Sequence, residues 1–150
     1  MKNGLTHLAK MNFDTFTVVN FPPIDREVPN FVYILFAVTE STQIPFYVGQ
    51  TSRLWGRLDD YYWAQFSAST DFRIGEAIRH LGTKAHRVVV KYKHSEEPRR
   101  EEAEIIKGLL AEGFTLLNTL RGFDYRKSDE SEERSRIQRF VEKLLSSPSV

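Results

Sequence analysis

The sequence predicts a small α/β (α+β) domain in which a three-stranded, mainly antiparallel sheet is flanked by helices. Short apolar runs at residues 31–38 and 45–48 and an alternating run at 86–94 are typical of strands. The polar loop at 40–43 lies between the first two runs, so we expect them to pair as a hairpin. At 150 residues, the chain has the length of one domain.

The predicted strands differ in how they should be buried. The run 31–38 is apolar on both faces and should therefore be central in the sheet. Residues 15–19 could add an edge strand before the prolines that follow. In the third run, one set of alternating residues should face inward (Val88, Val90 and Tyr92), and the other face should be mostly basic (Arg87, Val89, Lys91 and Lys93).

Four helices are predicted from apolar periodicity and from residues typical of helix ends. They cover about 54–62, 72–81, 98–112 and 129–145. A tight turn at Gly49 should lead from the second strand toward the first helix. These elements divide the chain into an N-terminal extension (1–30), a core (31–120) and a linker with a C-terminal helix (121–150).

Composition excludes several classes of protein. The chain has no cysteine, which rules out disulfides and cysteine-bearing zinc fingers and fits a cytoplasmic protein. No apolar run is long enough to span a membrane, and residues 1–12 lack the apolar stretch of a signal peptide. The four histidines are not spaced as metal ligands.

The charge of the chain is unevenly distributed, although its net value is only +1. Residues 1–50 carry a net charge of −1, residues 51–100 carry +4 and residues 101–150 carry −2. A local basic face is enough to hold a phosphate backbone. A solvated surface without a partner is the alternative interpretation.

Glu102 is the most unusual carboxylate of the sequence. On a helical wheel it falls in the middle of an apolar stripe, whereas Glu101 and Glu104 point away from that stripe. A carboxylate directed toward the core is costly unless it is paired or binds a metal. The alternative is that Glu102 only benefits from its place near a helix start.

Five features in order resemble the GIY-YIG nuclease family. Phe31-Val32-Tyr33 stands where the family has GIY, and Tyr47-Val48-Gly49 stands at YIG. Arg57, Glu102 and Asn118 match the family's arginine, metal-binding glutamate and closing asparagine. The resemblance covers about residues 31–119. Position 31 holds Phe instead of Gly, and Tyr61 stands where many members have histidine.

The resemblance implies a metal-dependent endonuclease that hydrolyses phosphodiester bonds of DNA, most similar to stand-alone phage and restriction enzymes. Tyr33 and Tyr47 would orient the attacking water, Arg57 would hold the scissile phosphate, and Glu102 would bind Mg²⁺, for which Mn²⁺ could substitute. Gly49, Tyr61 and Asn118 would support the site. For the tyrosines the alternative is strand packing, and for Arg57 it is a side chain that covers the core.

The implied partner is DNA, most simply double-stranded. Arg53, Arg87, Lys91 and Lys93 are the candidate contacts to its backbone. The C-terminal helix has a wide apolar stripe that could pack on its own core or on a second copy, and two copies would supply one site per DNA strand. We therefore also predict a homo-oligomer. The alternative function is a DNA-binding or protein-interaction module on the same scaffold without hydrolysis.

Overall fold

The computed structural model describes residues 17–20, 30–40, 42–51, 69–120 and 130–146. The strands form one antiparallel sheet in the order β1–β4–β2–β3. The strands are β1 (Thr17–Asn20), β2 (Phe31–Val38), β3 (Gln43–Thr51) and β4 (Arg87–His94). The helices are α1 (Ser69–Thr83), α2 (Pro98–Ala111) and α3 (Glu130–Ser146), with a 3₁₀-helix at Leu117–Thr119.

The predicted fold class is confirmed. The three predicted strands are neighbours in the sheet, and β2 is central between β3 and β4. The hairpin of β2 and β3 also forms as expected. The fourth strand, β1, adds an edge beside β4 at the place where the sequence suggested an edge strand.

Helices cover both faces of the sheet. On one face, α1 and α3 pack against β2 and β4 through a large apolar cluster that includes Tyr33, Leu35, Ile74, Val90, Ile137 and Val141. On the other face, α2 packs through a smaller cluster that includes Val32, Ile34, Phe36, Val89, Ile105 and Leu109. Among the described helices, none is long and apolar enough to cross a membrane.

Of two glycines that the sequence placed at the ends of elements, one behaves as expected and one does not. Gly113 lies just beyond α2 with a positive φ of 95°, as expected for a residue that ends a helix. The predicted turn at Gly49, however, is wrong, because β3 continues through Gly49 to Thr51. Gly49 pairs directly with Tyr33 of β2. The predicted helix at 54–62 lies outside the described residues.

The basic outer face predicted for β4 is also wrong. Because α2 covers the face that carries Val89, both faces of β4 are internal along much of the strand. Lys91 is only 9% exposed, and its Nζ lies 4.8 Å from the ring centroid of Phe36. Burial lowers the pKa of Lys91 from its ordinary value.

The C-terminal helix α3 packs on its own chain. Its apolar residues Ile137, Phe140, Val141 and Leu144 are buried in the cluster shared with α1 and β2. Two buried carboxylates, Glu76 of α1 and Glu133 of α3, add ion pairs across the same interface. The stripe that suggested self-association is therefore used inside one chain, and the homo-oligomer stays a prediction that this helix no longer supports.

Candidate functional site

A β-bulge sets which face of the sheet Tyr47 occupies. Leu35 pairs with Tyr47 and Phe36 with Pro45, so Phe46 is the extra residue in β3. Because Phe46 faces α1 and α3, strict alternation counted from Phe46 would place Tyr47 on the face of α2. The bulge instead places it on the same face as Tyr33, where the two ring centroids are 6.3 Å apart and the rings are tilted by 46°.

The ring of Tyr33 lies across the backbone of Gly49. A Cβ atom at position 49 would stand 2.5 Å from both Cζ and Oη of Tyr33. No real side chain fits at that distance, so the close approach of the phenol requires glycine. The glycine of the motif therefore provides space for Tyr33, which is only 1% exposed.

Asn118 closes the free edge of β3 beside this contact. Its Oδ1 accepts a hydrogen bond from the backbone N–H of Val48 at 2.9 Å, and its Nδ2 donates to the Val48 carbonyl at 2.7 Å. Asn118 is the middle residue of the short 3₁₀-helix at Leu117–Thr119. This is the backbone-fixing contact that the sequence predicts for Asn118; its part in catalysis stays a prediction.

Glu102 reaches the same edge from just beyond the first turn of α2. The backbone amide of Gln50 hydrogen-bonds its carboxylate. Burial raises the pKa of Glu102 above its ordinary value, although the nearby charge of Arg99 and the Gln50 amide act in the opposite direction. The helix wheel correctly placed Glu102 on the sheet-facing side of α2, in line with the buried Ile105 and Leu109.

These contacts converge on three consecutive residues, Val48, Gly49 and Gln50. In an antiparallel strand, residues two positions apart direct their backbone groups to the same side. Asn118 and Glu102 therefore take neighbouring positions on the open edge of β3, about 7 Å apart along the strand. The phenol of Tyr33 lies over the residue between them.

A second set of contacts fixes the first turn of α2. Glu101, which the wheel directs away from the apolar stripe, has partners of its own: its carboxylate pairs with Lys93 at 2.8 Å and accepts a hydrogen bond from the Ser95 hydroxyl at 2.6 Å. Burial by itself would raise the pKa of Glu101. The contacts with Lys93 and Ser95 outweigh this effect and hold the pKa below its ordinary value. Glu101 thus ties α2 to the end of β4 next to Glu102.

The sequence-based reasoning missed Arg73. This arginine of α1 is 8% exposed and lines a cavity of about 140 Å³ together with Tyr47, Ile74, Leu117 and Asn118. It forms an ion pair with Glu133 and donates to the Leu120 carbonyl at 3.1 Å. Its position between the core residues Phe72 and Ile74 was the signal available in the sequence.

Several predicted site residues do not join this group. Arg87 lies on the same strand as Tyr92, the partner of Tyr33, but about 17 Å away along the strand. Arg53, Arg57 and Tyr61 lie outside the described residues. Within the described part of the chain, no group of three or more histidine, cysteine or acidic residues could hold a metal ion.

No family model, curated protein or solved structure matches this chain. The resemblance to the GIY-YIG nucleases therefore rests on the residues of the chain and on their order.

Proposed function

We propose that this protein is a metal-dependent endonuclease that hydrolyses phosphodiester bonds of DNA. The observation that carries the proposal is the convergence of Tyr33, Asn118 and Glu102 on the edge at Val48–Gln50. These three residues are far apart in the sequence, belong to three different elements and meet on a fourth, β3. Packing alone does not require a tyrosine over a glycine and a glutamate at the next backbone amide.

The donor set at Glu102 fits a hard divalent cation. A single carboxylate suits Mg²⁺, which keeps several waters and takes further ligands from phosphate, and Mn²⁺ would substitute. The raised pKa of Glu102 in the absence of metal reflects a desolvated charge, which a bound cation would stabilise. When bound, the ion would polarise the scissile phosphate.

Exposure favours different roles for the two tyrosines. Tyr33 is almost completely buried, whereas Tyr47 is partly exposed and lines a cavity. We therefore assign contact with the attacking water to Tyr47 and assign to Tyr33 the orientation of the edge and of Tyr47. Arg57 remains the proposed ligand of the scissile phosphate.

The DNA contacts that we propose differ in their support. Arg87 is exposed and remains a candidate contact to the DNA backbone at a distance from Glu102. Arg53 remains a candidate on the basis of the sequence. Lys93 is already paired with Glu101 and Lys91 is buried, so both are weaker candidates. For double-strand cleavage we propose two copies of the chain, each acting on one strand.

Cleavage of supercoiled plasmid DNA tests the function directly. The wild-type protein should cut with Mg²⁺ and stop when EDTA is added. Glu102→Ala should lose at least about 100-fold in rate, as expected when the metal ligand is removed. Glu104→Ala is the matched control, since Glu104 lies on the same helix with 66% of its side chain exposed; it should cut at the wild-type rate.

Two outcomes would contradict the proposal. Equal activity of the Glu102 and Glu104 variants would remove Glu102 from the site. DNA binding without cleavage under any divalent metal would favour the alternative, a DNA-binding module without hydrolysis.

A further inference from the structure

Lys91 places an ammonium group in an apolar part of the fold. The residue lies on β4, on the sheet face that carries Val89, and only 9% of its surface is exposed. Its Nζ lies 4.8 Å from the ring centroid of Phe36, which is itself completely buried. Lysines are almost never buried to this degree unless an acidic group pairs with them.

The described residues offer no anion to this ammonium. The neighbouring strand β2 carries no acidic or basic side chain from Phe31 to Val38. The acid that α2 directs to β4, Glu101, is held by Lys93 and Ser95. The ring of Phe36 is thus the only partner of the Lys91 ammonium among the described residues, and an aromatic ring compensates little of the cost of burying a charge.

This environment favours the neutral amine of Lys91. Removal from water disfavours the charged form of a lysine, and burial lowers the pKa of Lys91 from its ordinary value of 10.5. The neutral amine has a free electron pair and is the form that attacks a carbonyl carbon. Lys93, two positions farther along β4, differs in this respect because it has a carboxylate partner.

The amine of Lys91 is also within reach of small molecules. Lysine side chains bury their methylene groups and keep the nitrogen nearest to water. Among the described residues, the one fully buried side-chain nitrogen or oxygen atom without a hydrogen-bond partner is Oε1 of Gln43. The Nζ of Lys91 has no hydrogen-bond partner among these residues either, so it is not sealed from solvent.

We propose that Lys91 is a modification site that takes a small acyl group from an activated donor, an acyl phosphate or a thioester. The Nζ attacks the carbonyl carbon and forms a C–N bond, while the C–O or C–S bond to the leaving group breaks. Phosphate or thiolate departs with the electron pair, and the amine proton passes to water. The amide that results is neutral, whereas an imine formed with an aldehyde could still be protonated and would leave a charge buried.

Acylation of Lys91 should stabilise the fold, because it removes a buried charge that no anion of the described residues compensates. The modification would therefore couple the stability of the protein to the supply of activated acyl groups. This inference does not depend on the proposed nuclease function, and its tests use no DNA.

Mass spectrometry of the full chain tests the site. The protein is treated with acetyl phosphate and, in parallel, with a small acetyl thioester, once folded and once in concentrated guanidinium chloride. At neutral pH, Lys91 should be acetylated at least about 3-fold faster in the folded protein, because each unit by which the pKa falls raises the neutral fraction up to about tenfold. The donor with the larger gain identifies the leaving group. Equal or slower acetylation of Lys91 in the folded protein with both donors would overturn the proposal.

Lys107 is the matched control in the same samples. It lies on α2 with its side chain exposed, so folding does not remove it from water. Its acetylation rate should be nearly the same in the folded and the unfolded chain. A gain at Lys107 as large as the gain at Lys91 would show that the environment of Lys91 is not the cause.

Thermal unfolding tests the consequence for stability. Acetylation should raise the Tm of the wild type by about 2–4 °C for a chain of this length. Lys91→Arg is treated in the same way as a control, since arginine keeps the charge and does not take the acyl group; its Tm should not rise. Lys91→Met should have a higher Tm than the wild type without treatment. If acetylation changes the wild type and Lys91→Arg equally and Lys91→Met is no more stable, the stabilising role of the modification is disproved.

Discussion

The phenol of Tyr33 occupies the space in which a side chain at Gly49 would begin. The two residues pair across β2 and β3, and a Cβ atom at position 49 would lie 2.5 Å from the Tyr33 hydroxyl oxygen. The first tyrosine and the glycine of the motif are therefore one structural unit, although 16 positions separate them in the sequence.

Gly49→Ala should destabilise the protein by about 1–3 kcal/mol, because the added methyl group forces the buried ring or the strand to move. Urea denaturation measures the change in the free energy of unfolding. Gly82→Ala is the control, since a Cβ added there would meet no atom within 4 Å apart from its chain neighbours and the nearby backbone of its own helix, and the position is helical. That variant should be neutral or slightly more stable. Equal losses in both variants would contradict the steric interpretation.

Asn118→Ala should lower the free energy of unfolding by about 1–3 kcal/mol, because it leaves the N–H and the carbonyl of Val48 without their partners. Hydrogen exchange gives a local measurement: the Val48 amide should lose protection by more than the global destabilisation explains. Thr119→Ser, on the same 3₁₀-helix, keeps its hydroxyl contact and should leave the Val48 amide protected. Unchanged Val48 protection in Asn118→Ala would disprove the edge contact.

Glu102→Gln should make the metal-free protein more stable at neutral pH. Because the pKa of Glu102 is raised in the fold, the unfolded chain loses this proton first as pH rises above the ordinary value of 4.5. The free energy of unfolding of the wild type therefore falls as pH rises from 4.5 to the pKa of Glu102 in the folded protein, and it stays lower at higher pH. The variant should exceed the wild type at pH 7 by no more than about 1 kcal/mol after solvent screening, and the difference should vanish below pH 4.5.

Metal should reverse this difference. Mg²⁺ that binds only the folded wild type raises its stability by mass action, whereas Glu102→Gln should not respond. Thermal unfolding with and without millimolar Mg²⁺ measures both effects. A Tm that rises equally in the two proteins would place the metal elsewhere.

Glu76→Gln should weaken the attachment of α3 to α1. The buried carboxylate of Glu76 accepts hydrogen bonds from Arg79 at 2.6 Å, Arg134 at 2.9 Å and Gln138 at 3.1 Å. Loss of its charge should lower the free energy of unfolding by about 1–3 kcal/mol. Glu132→Gln, an exposed acid of α3, should change it by less than about 0.5 kcal/mol. If the two variants are equally stable, the ion network does not hold the helix.

The elements that local pattern defines were predictable. The apolar run at 31–38 became the central strand, and Pro98 and Gly113 bracket α2 as expected. The wheel also placed Glu102 on the covered face of its helix. Each of these features depends on the spacing of apolar residues within one element or on the backbone preference of one residue. Both can be recognised from residues that are close together in the sequence.

The relations between elements were not predictable, because each depends on which surfaces meet. The bulge at Phe46 follows from how β3 registers against β2, and it decides that Tyr47 joins Tyr33. Lys91 is buried because α2 lies over a face that alternation alone describes as basic. Arg73 is buried with an ion-pair partner because α3, far along the chain, supplies Glu133.

The sequence by itself determined which runs form strands, both ends of α2 and the order of the motif residues, because these depend on contacts within a few positions. Only the tertiary structure decided that Tyr33, Asn118 and Glu102 meet at Val48–Gln50. The physical reason is that β3 is an edge strand: its outward N–H and carbonyl groups need partners, and those partners come from residues that are 50 or more positions away.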